Sequence, residues 1–111
     1  MAKIIPLRIN VKEDALLQSI DETFTILCSA SVRESFYDFL EKEFKLRRDE
    51  IPSRLDLFVK ALEKATGSAP SEVIMKNILK RFCARLGVEF NSGRYVRGSF
   101  KDAVINALRS P

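Results

Sequence analysis

Apolar residues recur at helical spacing through most of this chain. Leu16, Ile20, Phe24 and Leu27 follow one another by three or four residues, and Asn10 with Glu13 ahead of them resembles a helix start. A first helix is predicted near residues 11–28. Ser31 and Glu34 fit a capping box, in which each side chain satisfies an open backbone amide of the first turn. Phe36, Phe39, Leu40 and Phe44 then form the apolar stripe of a second helix, with Asp38, Glu41, Lys42 and Lys45 on its other sides. This helix must end before Ile51-Pro52, since a residue preceding proline is driven out of helical geometry.

Ser53 with Asp56 supplies the next cap, and Leu55, Phe58, Val59, Leu62 and Ala65 line a third helix over 54–66. Gly67 stands where a left-handed terminal residue is wanted. A fourth helix follows, capped by Ser68 or Ser71, with Pro70 tolerated in its first turn and Gly87 at its end. Ile74, Met75, Ile78, Leu79, Phe82, Cys83 and Leu86 gather on one side of it, while Lys76, Lys80, Arg81 and Arg85 project from the other. Val88-Glu89-Phe90, Asn91-Ser92-Gly93 and Arg94-Tyr95-Val96-Arg97 read as a short β-hairpin over 88–97. Ser99 and Asp102 open a last helix over 99–109. At the other end, residues 1–10 are rich in isoleucine but hold Pro6, as an edge strand or extended arm would. The fold class is therefore mainly α: a single compact domain of about five helices with one hairpin and an N-terminal arm.

At 111 residues the chain has the length of one domain with one core. It has no apolar run long enough for a bilayer and no signal-peptide pattern, which points to the cytoplasm. Histidine is absent, which removes Ser-His-Asp and Cys-His catalysis and histidine zinc sites. The two cysteines, Cys28 and Cys83, each fall in an apolar helical pattern and read as buried free thiols; two cannot build an all-cysteine zinc site. No glycine-rich phosphate loop occurs. The mixed charges from Glu41 to Glu50 read as a solvent-facing helix end, and Tyr37 and Tyr95 as half-buried packing residues. No catalytic residue, cofactor or metal is expected.

Charge is uneven along the chain. Residues 1–30 carry a net −1, residues 31–67 are balanced, and residues 68–111 carry +5. An excess confined to one end can mark an anion-binding face. Helix, short turn at 67–70, basic helix and hairpin is also the order of a winged helix-turn-helix domain. In that reading Lys76, Lys80, Arg81, Arg85, Arg94, Arg97 and Lys101 contact phosphate, and Asn77 can read an adenine edge. Against it, Glu72 near the start of the fourth helix would repel phosphate, and the cations toward its end also complement the helix dipole.

From Cys28 onward the order of features resembles an archaeal family, the Nitrosopumilus-type output domain. The likeness rests on Ser31-Val32-Arg33-Glu34-Ser35, on Phe39 to Phe44 running to Ile51-Pro52, on Phe58-Val59-Lys60-Ala61-Leu62, on Ile78-Leu79-Lys80-Arg81-Phe82, and on Leu86-Gly87-Val88 and Ser99-Phe100. The resemblance implies a compact helical domain that transmits or receives a regulatory signal, and it brings no catalytic or ligand-binding residues. The resulting expectation is a non-enzymatic regulatory or interaction module with a protein partner. The arm pairs with the 88–97 hairpin of its own chain or of a second chain, a homodimer being slightly favoured, and winged-helix-like DNA binding is the alternative function.

Overall fold

The computed structural model describes residues 11–90, 95 and 99–109. It holds helices α1 (Val11–Leu27), α2 (Ala30–Phe44), α3 (Leu55–Thr66), α4 (Ser68–Leu86) and α5 (Phe100–Arg109), with a 3₁₀ helix (Arg48–Ser53) between α2 and α3. No strand occurs among the described residues. Val88 to Phe90 and Tyr95 have no regular structure, so the hairpin expectation fails at those positions. Its remaining residues, and the arm over 1–10, lie outside the described residues. No described helix is long and apolar enough to cross a membrane.

Helix α4 lies at the centre, with α1, α3 and α5 packed around it. Its apolar side explains this position, because Ile74, Met75, Ile78, Leu79, Phe82 and Cys83 are all buried. The other helices meet through aromatic rings. Phe24 of α1 stacks on Phe36 of α2 with centroids 4.8 Å apart. Phe36 in turn meets Phe58 of α3 edge-on at 6.0 Å, and Phe58 lies 6.1 Å from Phe100 of α5. Each fully buried phenylalanine contributes roughly 2–3 kcal/mol of transfer free energy, so this chain of rings is a principal bond between the helices.

The helix ends differ in detail from the sequence reading. Ser29, not Ser31, caps α2: its backbone is extended and its Oγ accepts from the Val32 amide at 3.1 Å. Glu34 turns sideways to Arg33. At the far end Lys45 adopts left-handed geometry (φ 53°), and the Leu46 amide reaches back to the Leu40 carbonyl at 3.2 Å, drawing Leu46 into the core. The 3₁₀ turn that follows was not foreseen. It is secured by the Glu50 carboxylate accepting from the Arg47 amide at 2.9 Å and by burial of Ile51 and Pro52. Ser53 does not cap α3, because its hydroxyl donates to the Glu50 carbonyl. Ala65, expected on the α3 stripe, is exposed.

Gly67 alone separates α3 from α4. Its φ of 93° and ψ of 164° are extended rather than left-handed, in a region open essentially to glycine. It closes α3 through its amide to Glu63 O (2.8 Å) and opens α4 through its carbonyl to the Ser71 amide (3.1 Å). The expected four-residue turn over 67–70 is thus one residue, and Ser68, Ala69 and Pro70 belong to the first turn of α4.

Candidate functional site

The structure divides the predicted basic face into separate places. Arg81 and Arg85 are one turn apart on the side of α4 that meets α1. The Arg85 guanidinium donates to Gln18 Oε1 at 2.9 Å and to Glu22 Oε2 at 2.5 Å, and Arg81 Nε lies 3.6 Å from Glu22 Oε1. One carboxylate thus serves two guanidiniums, and both arginines fasten α4 to α1. Lys76, Asn77 and Lys80 stay together on the open stripe of α4, where they line a groove of about 400 Å³ with Phe90. The Asn77 amide donates to the Val73 carbonyl within its own helix. Lys101 opens α5 in a different groove, among Asp56, Glu63 and Glu72. Arg94 and Arg97 lie outside the described residues. A helical projection orders these side chains around α4 correctly, but cannot tell which side α1 will cover.

A polar cluster that sequence reasoning missed is centred on Asp21 of α1. Arg48, from the 3₁₀ turn, grips its carboxylate with two bonds, Nε to Oδ1 at 3.2 Å and Nη2 to Oδ2 at 2.6 Å. The Tyr37 hydroxyl of α2 donates to Oδ1 at 2.5 Å. Three elements are tied by one carboxylate, at the floor of an open groove of about 500 Å³ that Arg33, Glu34, Asp38 and Glu41 also line. Burial, reinforced by the hydrogen bond to Asp21 and its charge, raises the Tyr37 pKa well above the usual phenol value. The hydroxyl is therefore a fixed donor and not a base at neutral pH. Among the described residues no three potential ligands gather as a metal would require.

The corner between α1 and α2 is of a different kind. Ile26 is 61% exposed, Leu27 44% and Val32 45%, all within four residues along the chain of Cys28, which is exposed as well. This overturns the expectation that Leu27 faces the core and that Cys28 is buried: the last buried side chain of α1 is Phe24. Cys83 is buried as expected, and burial raises its thiol pKa. Next to the corner, Arg33 donates to Thr25 Oγ1 at 2.9 Å and pairs with Glu34 at 3.0 Å, so its charge is compensated. Val11, Val73 and Val88 are exposed too, each in a different stretch of the chain, as single apolar residues commonly are.

No family model, curated protein or solved structure matches this chain.

Proposed function

We propose that the chain is a non-enzymatic regulatory module that acts by docking, and that its first partner is a second copy of itself, joined through the α1–α2 corner. The observation that carries this reading is the exposure of Ile26, Leu27 and Val32 on either side of Cys28 where α1 gives way to α2. A two-fold contact brings a patch against itself, so it must be apolar or self-complementary. The corner meets that condition: its large side chains are apolar, and the flanking Arg33 is neutralised by Glu34. The regulatory role is what the likeness to an output domain implies. Sedimentation equilibrium tests the contact. A monomer–dimer equilibrium is expected, lost in the double variant Ile26→Glu, Val32→Glu. Mild oxidation should give a covalent dimer that Cys28→Ser abolishes. A wild-type chain that stays monomeric at its highest attainable concentration would sink the reading.

A second reading is favoured by the groove on α4. Lys76 and Lys80 beside the half-buried ring of Phe90 combine phosphate-neutralising charge with a stacking surface, the pairing that single-stranded nucleic acid uses. Anisotropy of a labelled single-stranded oligonucleotide should show binding that weakens with salt, at roughly −0.7 in log affinity per log salt for each phosphate contact. Binding untouched by Lys76→Ala with Lys80→Ala would remove that reading.

A further inference from the structure

We propose that the groove between α3, α4 and the start of α5 is a docking site for a cationic, amphipathic segment of a partner protein, anchored by one lysine or arginine side chain. This site is separate from the self-association corner and stands on different observations. The groove encloses about 220 Å³, room for a single long side chain rather than a packed helix. Its floor is apolar: Met75 of α4 and Phe100 of α5 are almost wholly buried, and Val59 of α3 forms a half-buried wall. Its rim is acidic. Asp56 and Glu63 stand two turns apart on the same side of α3, and Glu72 faces them from α4.

These three carboxylates border one apolar groove with their charge left open, whereas Asp21, Glu22, Glu34, Asp38 and Asp49 each lie against a lysine or arginine. Among the described residues no ion pair involves Asp56, Glu63 or Glu72. Glu72 accepts from the Tyr95 hydroxyl at 3.1 Å, but that phenol is held neutral, its pKa raised by burial and by Glu72 itself. A neutral donor leaves the carboxylate charge in place. Among the described residues Lys101 is the one cation lining the groove, against three carboxylates. The lysines of α3 do not enter: Lys60 is absent from the lining, and Lys64 lies over the ring of Phe44 at 5.9 Å.

An apolar floor beneath an anionic rim matches a side chain with a hydrocarbon stem and a cationic end. Lysine and arginine are the two that have this form. The stem packs on Val59, the part of that lining still open to water, above the buried Met75 and Phe100, while the head meets Glu63 and Glu72. Val73, one residue on from Glu72, is 55% exposed; an apolar neighbour of the anchoring side chain would cover it, so the segment is amphipathic and not merely basic.

The test uses the full chain and three fluorescein-labelled peptides: a helical leucine–lysine peptide, its leucine–glutamate counterpart, and a lysine-only peptide. Anisotropy should show the leucine–lysine peptide binding, the glutamate peptide not binding, and the lysine-only peptide binding at least about tenfold more weakly. Asp56→Lys with Glu63→Lys should weaken the first peptide about tenfold or more. The milder Glu63→Gln should weaken it in the same direction, which keeps the test valid if the double reversal disturbs folding. The corner variant Ile26→Glu, Val32→Glu should bind it normally, so failure at one surface is told apart from failure at the other. Equal binding of the lysine-only peptide, or binding indifferent to the changes at Asp56 and Glu63, would overturn the proposal.

Discussion

Asp21 and Glu63 are both carboxylates on outward-leaning helix positions, yet the molecule treats them in opposite ways. Asp21 accepts three hydrogen bonds, two from Arg48 and one from Tyr37, and thereby ties α1, α2 and the 3₁₀ turn together. Glu63 lies on the rim of a groove with an apolar floor, and no described cation pairs with it. The first is spent on the fold and the second is available for recognition. Charge in a sequence therefore carries no function until its partner is known, and here the partner of Asp21 lies 27 residues away.

Mutating the two residues separately should break the comparison cleanly if it is wrong. Asp21→Ala leaves the Arg48 guanidinium and the Tyr37 hydroxyl without their acceptor. Because both members of the ion pair are about a third exposed, the cost is screened to about 1–2 kcal/mol in urea denaturation. The matched change Glu63→Gln should leave stability within about 0.5 kcal/mol of wild type. Similar losses at both positions would show that Glu63 is structural after all.

A smaller effect sharpens the Asp21 side. Folding raises the Tyr37 pKa above its ordinary 10.0, first through burial and then through Asp21. Above about pH 10 the unfolded chain releases this proton while the folded chain keeps it. The unfolded state then binds fewer protons, and stability falls as pH rises through that range. Tyr37→Phe should cost about 1 kcal/mol at neutral pH and flatten part of the alkaline fall seen in denaturation at about pH 8 and about pH 11. The raised pKa of Tyr95 predicts that some of the fall survives.

Much of the fold was legible because it is local. The stripes of α2 and α4, the terminal Gly87 and the approximate bounds of α1, α3 and α5 follow from periodicity and caps within a few residues of one another. What escaped depends on packing between distant segments. Arg48 was one of several charges in the mixed run from Glu41 to Glu50, and no spacing rule selects it as the residue that reaches Asp21. The 3₁₀ turn left only a faint trace, the Arg47 and Glu50 pair ahead of Pro52. The basic side of α4 was read as one surface because a helical wheel has no knowledge of α1, which claims Arg81 and Arg85 through Glu22. The Phe100 groove was out of reach for the same reason: its walls come from three helices and its rim charges look unremarkable along the chain.

The single-residue link at Gly67 gives α3 and α4 a mechanical relation that a loop would not. Consecutive Cα atoms are about 3.8 Å apart, so two such steps carry the chain out of one helix and into the next. Space is not the obstacle to substitution, because a Cβ added there would come no closer than 3.8 Å to Pro70; the positive φ is. The junction behaves as a crease in stiff card, with no slack to absorb a displacement. Because α3 and α4 both wall the Phe100 groove, the crease at Gly67 sets how those two walls stand to each other.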